Sequence, residues 1–504
     1  MRNILKIQLP SVLFFVALLL SVLVYFPSLN SGFLFDDVSN IIDAEFIRIS
    51  ELTFDSLLSA ASSGGDLNGR PLAMISFAIN YYIGGIDPYS YKIVNLAIHL
   101  LTGIALYYLL SQLLKTELIK SSIRLQGIKF LPVAVVSLWL ISPINFLPVV
   151  YVVQRMTSMA TFFMVVGMLS YVQLRTERAE TNIIRAIFLV ACILISTILA
   201  ILCKENGILL VLHLVLIECI FFKFRSRFRW RSSALYILMT LVFIAPVLIA
   251  VSYLIKYPDY FDTSYINRNF TAAERVLTEF RVLVLYLKQM LFPVLGDFSL
   301  HHDDVDVSTS ILQPLTTLWS VFILLFISIV GFVSRNNAPL ISYGIAVFFI
   351  GHTIESSVFA LDLMYEHRNY LSSFGICLAT ISFLFNLNNK DILKSWRVGI
   401  GTIATIMVLI NSVYVTASRS NLWSNDLDRL QYAILKHPNS PRINNEIGAL
   451  YAKMSAVDSP YKEMLIEKAI YHQKLYTALD ENGTEGLVGM ISLASYHEFS
   501  GKLS

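Results

Sequence analysis

Apolar residues occur along this chain in long runs that short polar connections separate. About eleven runs approach the twenty residues that an α-helix needs to cross a hydrocarbon core of about 30 Å. They lie at 9–28, 91–114, 130–147, 150–173, 184–203, 206–223, 233–254, 312–333, 340–358, 369–386 and 398–416. The pattern therefore predicts an all-α, polytopic membrane protein with about eleven transmembrane helices.

Composition supports this class of protein. Of the 504 residues, 56% are hydrophobic and only 14% are charged, whereas soluble proteins average about 25% charged residues. The four cysteines lie within or against apolar runs and show no CxxC spacing, which indicates buried thiols rather than a zinc site or a disulfide framework. The net charge of +3 is explained by basic connections between spans, so no nucleic-acid partner is expected.

The distribution of Lys and Arg predicts the orientation in the membrane. Every second connection is basic, as in FKFRSRFRWR, and basic connections face the cytoplasm. The N-terminal MRNILK joins them, and the first run, which lacks a small-residue cleavage site, is expected to be an uncleaved anchor. The intervening connections and the tail beyond 417 are then exoplasmic. In a bacterium this means an inner-membrane protein with its N-terminus in the cytoplasm and its C-terminus in the periplasm.

Polar segments outside the spans are predicted to form further helices. Amphipathic patterns on either side of GGDLNGRP, and again at TAAERVLTEFRVLVLYLKQMLFP, predict helices that lie along the membrane surface. The tail has soluble composition, and two amphipathic stretches there flank a Pro-Asn-Ser-Pro turn, as in a tetratricopeptide (TPR) unit. We predict a membrane domain at 1–420 and an exoplasmic TPR-like region at 427–504.

Ionisable residues gather on the predicted exoplasmic side. The set combines acids with bases suited to phosphate, and it indicates a functional site more than separate structural ion pairs. Its members are Asp36, Asp37, Arg70, Arg155, Lys204, Glu366, His367 and Arg368. Glu205 with Lys204, or Glu355 alone, is explained equally well as a paired structural ion.

Such a set suits transfer of a sugar from a lipid phosphate. A carboxylate can accept the proton of an acceptor hydroxyl while Arg and Lys hold the phosphate that leaves. A polyprenyl carrier places that phosphate at headgroup depth, which explains a site at the membrane surface. The site residues thus predict a lipid-linked donor and a membrane enzyme.

The segment DFSLHHDDVDVS carries residue types that bind divalent cations, namely His301, His302, Asp303 and Asp304. Regular alternation would scatter these side chains over two faces. We therefore expect no metal site there. The segment is predicted to be a solvated loop that reaches over the acceptor site, with His301, His302 and Asp303 as its acceptor-facing residues, although a divalent cation is still possible.

Several strings resemble the GT-C glycosyltransferases that carry C-terminal TPR units. They are the acid pair after the first span, YVVQRMTSMATFF, KENGILL and ESSVFALDLMYEHRNYLSS. The resemblance is to transmembrane-and-TPR protein O-mannosyltransferases and to bacterial type IV pilin arabinofuranosyltransferases, and it covers nearly the whole chain. The chain departs from the family pattern at Ser142, Asn145, Ala360, Asp362 and Ser372, which leaves the donor sugar open.

The resemblance implies an inverting transfer from a polyprenyl-phosphate sugar to a Ser or Thr hydroxyl of an exported protein such as a pilin. Asp36 is expected to be the base and Asp37 to orient the hydroxyl or the sugar, although the two roles are exchangeable. The expected phosphate-binding residues are Arg70, Arg155, Lys204, His367 and Arg368, with Glu205, Glu355, Glu366 and Tyr370 in support.

Two other functions fit parts of the pattern. A transferase of the same fold that modifies a glycolipid or a surface polysaccharide needs the same site. A transporter or lipid flippase would place ionisable residues near the middle of the bilayer and often shows two similar halves, and neither feature is seen in the sequence.

Overall fold

The computed structural model describes residues 2–62, 69–122, 128–176, 183–225, 256, 263–266, 268–386, 394–457 and 460–479. Within these ranges all regular secondary structure is helical, so the predicted all-α class is confirmed. The α-helices are Arg2–Tyr25, Phe54–Ala61, Pro71–Gly84, Pro88–Leu113, Glu117–Ser122, Leu131–Leu140, Leu147–Val150, Arg155–Thr176, Ile183–Cys203, Leu210–Ile217, Ala272–Leu291, Thr316–Ser334, Pro339–Gly351, Ser372–Asn386, Lys394–Leu422, Asp426–Lys436, Pro441–Ser455 and Lys462–Leu479.

Seven of the described helical segments are long and apolar enough to cross a bilayer. They are Leu9–Asn30, Pro88–Leu113, Val152–Thr176, Ile183–Cys203, Glu205–Phe222, Thr316–Ser334 and Gly399–Leu422. The pair Ile128–Leu140 and Pro143–Val150 forms an eighth span if its 54° bend is counted within one crossing. The chain is therefore an integral, multi-pass membrane protein. The predicted span 233–254 lies outside the described residues.

Two predicted spans are much shorter than expected, and we call them the short helices. Pro339–Gly351 has 13 residues and Ser372–Asn386 has 15, or about 20 and 22 Å at 1.5 Å per residue. They pack backbone to backbone, since a Cβ added to Gly344 would lie 2.3 Å from the Gly375 carbonyl oxygen. Residues 352–371, which we call the linking loop, connect the two helices and contain a 3₁₀ turn at Glu366–Asn369.

The predicted span 130–147 is also interrupted. Its helix ends at Leu140, and a 3₁₀ turn begins at Pro143. Proline has no N–H to donate to the preceding turn, so the sharp bend follows from the sequence SPINFLP.

The helices predicted outside the spans are present. Ala272–Leu291 begins with a capping box in which Thr271 and Glu274 bond to each other's backbone N–H groups. Its buried face includes Val282 and Tyr286. Phe54–Ala61 and Pro71–Gly84 follow the acid pair and precede the second span.

The last span continues into three further helices, Asp426–Lys436, Pro441–Ser455 and Lys462–Leu479, which we call the tail. Their apolar faces form a separate cluster made of Leu430, Ile443, Ile447, Tyr451, Leu465 and Ala469. The predicted pair of amphipathic helices around the Pro-Asn-Ser-Pro turn is thus confirmed. Residues 480–504 of the predicted TPR-like region lie outside the described residues.

Candidate active site

Connections from one end of the helix bundle meet in a single polar region. The acid loop, residues 31–40, bonds to the turn before Arg155; the segment at Arg70 bonds to Glu205; and Lys204 bonds to Glu355. All of these connections carry residues that the sequence places on the exoplasmic side. The structure therefore brings most of the predicted site residues together at one end of the molecule.

Asp37 is the buried member of the acid pair. Its carboxylate accepts hydrogen bonds from the backbone N–H groups of Leu34 at 3.0 Å, Val152 at 3.3 Å and Val153 at 2.7 Å. The side chain has no exposed surface. Asp37 therefore fastens the acid loop to the turn that precedes Arg155.

A buried lysine that sequence reasoning missed holds the start of the same loop. Lys92 Nζ donates to the hydroxyl and carbonyl oxygens of Ser31 and, at 2.9 Å, to the carbonyl oxygen of Gly32. The sequence did contain a signal for this residue. Lys92 lies near the start of an apolar run, and a charged residue in that position rarely lacks a partner or a function.

Asp36, in contrast, is exposed. Its backbone N–H donates to the Tyr151 hydroxyl at 3.0 Å, so the residue is fixed while its carboxylate stays accessible. The preceding Phe35 has φ of 32°, a left-handed conformation that is unusual for a non-glycine residue and that clusters at functional sites. The Phe35 ring lies 4.9 Å from the His301 ring and 5.4 Å from the Arg442 guanidinium.

A pocket lies between the ends of the spans and is lined by Thr157, Lys204, Glu355 and Arg368, among others. Lys204 Nζ donates to Glu355 Oε1 at 2.8 Å and to the Thr157 hydroxyl at 3.1 Å. Arg368 donates one N–H to the Leu363 carbonyl oxygen at 3.1 Å. Two cationic side chains therefore line one cavity, which suits an anionic ligand.

Two further predicted phosphate-binding residues lie beside this pocket. Burial and the neighbouring charge of Lys204 hold the pKa of His367 well below its usual range, so its ring is neutral at pH 7. Arg70 forms a two-pronged ion pair with Glu205, at 3.0 and 3.2 Å. Arg70 also has a positive φ of 47°, which is a second unusual backbone conformation in the region.

Tyr365 connects the pocket to the acid loop, and sequence reasoning did not single it out. Its ring stacks on His367 at 5.1 Å and lies 5.5 Å from the Arg368 guanidinium. Burial raises the pKa of the Tyr365 hydroxyl, and the charges of Asp362 and, more weakly, of Asp36 add to this rise. Asp36 is thus within electrostatic reach of the same tyrosine that borders the cationic pocket.

A tail residue also reaches this region. Arg442 donates to the Tyr365 hydroxyl at 2.9 Å and to Asp362 Oδ2 at 3.3 Å. Burial opposes ionisation of Asp362, but Arg442 and Arg268 lower its pKa to about 2. The tail therefore contributes a charged side chain to the surroundings of Asp36, which the sequence did not indicate.

Arg155 is not part of the pocket lining, contrary to the phosphate-binding prediction. It is completely buried. Its guanidinium donates to Asn95 Oδ1 and Asn80 Oδ1, both at 2.7 Å, and to the carbonyl oxygens of Ser76 and Tyr91. Because these groups occupy all three nitrogens, Arg155 is positioned to hold helices together rather than to bind a phosphate.

Glu366 and Tyr370 face the protein interior. Glu366 accepts hydrogen bonds from the Ser299 N–H, from His302 and from Arg419, and Tyr370 bonds to His99 Nδ1 at 2.8 Å. These contacts join the linking loop to its neighbours. The two residues therefore support the position of Tyr365, His367 and Arg368, which lie between or beside them in sequence.

Residues 297–308, which we call the docking loop, are only partly the solvated loop predicted, since Asp303 and Asp306 are exposed but both histidines are not. His301 and His302 are buried, because His301 bonds to Glu446 and His302 to Glu366. Asp303 accepts from the Arg442 N–H, and Asp304 from His437. Within the described ranges, no three His, Cys, Asp or Glu residues are grouped as metal ligands.

Comparisons with known proteins give a partial match. No protein-family model matches the chain. The chain is 28% identical over 197 residues to Protein O-mannosyl-transferase TMTC3 of Mus musculus, and 27% identical over 194 residues to the protein of that name from Homo sapiens. Each match covers 37% of this chain and 19% of the relative, so the chain spans about a fifth of these relatives. With the membrane helices, this likeness supports a membrane glycosyltransferase in general.

Proposed function

We propose that this protein is a GT-C-type membrane glycosyltransferase that moves a sugar from a polyprenyl-phosphate donor to a Ser or Thr hydroxyl of an exported protein. One observation carries the proposal. Asp36 is exposed on a loop whose Phe35 ring lies 5.4 Å from the Arg442 guanidinium, and Arg442 donates to Tyr365, which lies beside Arg368 of the pocket that Lys204 also lines. The partial likeness to two protein O-mannosyl-transferases supports the same class of reaction.

The reaction needs one base and one phosphate-binding pocket. The acceptor oxygen attacks the anomeric carbon of the sugar from the face opposite the phosphate, and its proton passes to Asp36. The bond between that carbon and the phosphate oxygen breaks, and polyprenyl phosphate leaves with the electron pair. The configuration at the anomeric carbon is therefore inverted.

The cationic pocket stabilises the leaving phosphate. Lys204 and Arg368 provide N–H donors and positive charge where negative charge develops. Glu355, which pairs with Lys204 at 2.8 Å, keeps the lysine oriented towards the pocket. His367, being neutral, contributes a hydrogen bond rather than charge.

The proposed acceptor protein and the proposed cellular location of the enzyme rest on the sequence predictions. The tail and the docking loop lie beside Asp36, through Arg442 and His301, where an incoming protein segment has to pass. We propose that the TPR-like tail presents an exported protein, with pilins as the first candidates, on the periplasmic side of a bacterial inner membrane.

The proposal is tested by intact-mass spectrometry of exported proteins, pilins first, in cells with the gene, without it, and with Asp36→Asn. We expect a constant mass difference of one sugar unit that disappears in the last two strains. Unchanged protein masses together with an altered glycolipid would transfer the activity to a lipid or polysaccharide acceptor. If neither protein nor glycolipid changes, the enzyme assignment is overturned in favour of a transporter.

A further inference from the structure

A second cavity lies where the docking loop, the end of the last span and the first tail helix meet. It shares no lining residue with the pocket of Lys204 and Arg368. The sugar transfer proposed above does not use this cavity. Its chemistry therefore has to be explained separately.

The charged lining of this cavity is cationic. Among the described residues that line it, Arg419 and Arg429 are the charged side chains, beside the titratable His301, and Ser299 and Tyr432 add hydroxyl groups. Trp423 lies between the two arginines, with its ring 5.3 Å from the Arg419 guanidinium and 5.4 Å from that of Arg429. Each guanidinium also forms an ion pair, Arg419 with Glu366 at 2.6 Å and Arg429 with Glu446 at 3.2 Å, so the lining offers N–H donors to a ligand rather than an excess of positive charge.

Several buried donors in the cavity have no hydrogen-bond partner within the described part of the chain. Arg419 is 1% exposed and uses Nη1 for Glu366 and a backbone carbonyl oxygen, which leaves Nε and Nη2 unbonded. Arg429 Nε, which lies 3.8 Å from Asp426 Oδ1, and the Ser299 hydroxyl also make no hydrogen bond. Aromatic rings cover the guanidinium faces, but N–H groups at the edges need acceptor oxygens.

We propose that this cavity binds a phosphate group, either the headgroup phosphate of a membrane lipid or free phosphate. Two guanidinium groups and a hydroxyl around one space match several oxygens of a single phosphate. The position supports this ligand, because Arg419 and Trp423 lie at the end of the apolar helix Gly399–Leu422, where lipid headgroups occur. The proposal does not depend on the proposed enzyme function.

A bound phosphate would join three parts of the molecule. Arg419 belongs to the last span, Ser299 to the docking loop and Arg429 to the tail. A ligand that contacts all three stabilises the docked tail by its binding free energy. The cavity is thus a place where the lipid environment fixes the tail to the membrane domain.

The test uses the purified full-length protein in a neutral detergent. In the lipid arm, native mass spectrometry follows retention of phosphatidylglycerol supplied in nanodiscs. In the free-phosphate arm, delipidated protein is titrated with inorganic phosphate against chloride of equal ionic strength, and the unfolding midpoint is recorded. We expect a saturable effect in at least one arm, and the arm that responds identifies the source of the phosphate.

Four variants locate the effect. Arg429→Gln removes a donor and Ala433→Phe fills the cavity, so each is expected to weaken phosphate binding at least about tenfold. Leu435→Phe, on the exposed side of the same helix, should respond like wild type, whereas Lys204→Gln should lose only the part of the response that comes from the other pocket. The proposal is overturned if wild type shows no response in either arm, or if Arg429→Gln and Ala433→Phe, checked to be folded, keep the full response.

Discussion

At the scale of single residues, the two adjacent acids occupy opposite environments. Side chains of consecutive residues on a helical turn do not face each other. Asp36 and Asp37 therefore have different surroundings in the acid loop. The Asp37 carboxylate accepts hydrogen bonds from three backbone N–H groups, whereas Asp36 is exposed. The sequence allowed the two acids to exchange roles. Their different surroundings make Asp36 the better candidate for the base.

Asp36→Asn should slow sugar transfer by about 10²- to 10⁴-fold, the usual contribution of a general base. Donor affinity should change little, because the phosphate-binding groups are elsewhere. Turnover of the purified variant at saturating donor measures the effect. A rate within about threefold of wild type would exclude Asp36 as the base.

Asp37→Asn should instead destabilise the protein. The amide retains only one acceptor oxygen for three buried N–H groups, and an unsatisfied buried donor costs about 1–3 kcal/mol. Thermal unfolding in detergent is the measurement, with Asp36→Asn as the matched control. An unchanged unfolding midpoint together with a lost activity would assign a catalytic role to Asp37 after all.

Two arginines that the sequence treated alike should respond differently to Lys. Arg368→Lys should lower transfer about 10- to 100-fold in folded protein, because lysine lacks the planar fork for phosphate. Arg155→Lys should lower stability, since one ammonium cannot replace donations to Asn80, Asn95 and two carbonyl oxygens. Activity per folded molecule and the yield of folded protein separate the two effects. Normal stability of Arg155→Lys would contradict a structural role for this arginine.

At the scale of elements, the tail and the docking loop form one polar interface. His301 bonds to Glu446, Asp303 to the Arg442 N–H and Asp304 to His437. These are short-range contacts between a membrane-domain loop and the tail. The interface explains why the histidines and aspartates of this loop are spread over several partners.

Arg442→Ala should lower transfer about tenfold, and equally for a short peptide and for a full-length acceptor, because Arg442 acts through Tyr365 and Asp362 rather than by recognising a partner. Lys453→Ala, an exposed change on the same helix, is the control. The readout is kcat and KM for both acceptors, and Arg442→Lys should restore part of kcat. A loss confined to the full-length acceptor would show presentation by the tail instead.

Raising the pH should loosen this interface. Burial works against the charged form of His437, but its bond to Asp304 raises the pKa above the usual 6.5. Its contribution is therefore complete below pH 6.5 and is lost as the pH rises through the folded-state pKa. Asp304, whose pKa is lowered despite burial, contributes above its usual 3.8 and loses its share only in stronger acid.

Hydrogen exchange in residues 437–445, corrected for the intrinsic rate, measures this effect between pH 6 and pH 9. We expect protection to fall in wild type and to fall less in His437→Gln, which lacks the titrating ring that bonds to Asp304. Equal protection of wild type at both pH values would refute the coupling.

At the scale of the whole molecule, the sequence predicted the features that depend on hydrophobicity over long stretches of chain. Runs of apolar residues located the spans, and alternation of basic connections indicated that Asp36, Lys204 and Arg368 belong to one region. Side-chain partners were not predictable, because they depend on residues far apart in the chain. Lys92 with Ser31, Arg442 with Tyr365, and the inward turn of Arg155 are examples.

The orientation is best tested by cysteine labelling in intact cells. A membrane-impermeant maleimide should modify Ser39→Cys, which is exposed in the acid loop, and should leave Glu117→Cys unmodified until the cells are opened. The parent protein, with its own four cysteines, provides the background. The reverse result would place the candidate site in the cytoplasm.

The short helices also determine where the pocket lies. No residue of Pro339–Gly351 is exposed and only Phe383 is exposed in Ser372–Asn386, so other parts of the protein surround most of their surface. Gly351 and Ser372, where these helices end, line the pocket of Lys204 and Arg368. Because helices of about 20 Å are shorter than a hydrocarbon layer of about 30 Å, they leave room for polar side chains at a depth that full-length spans would fill with apolar ones.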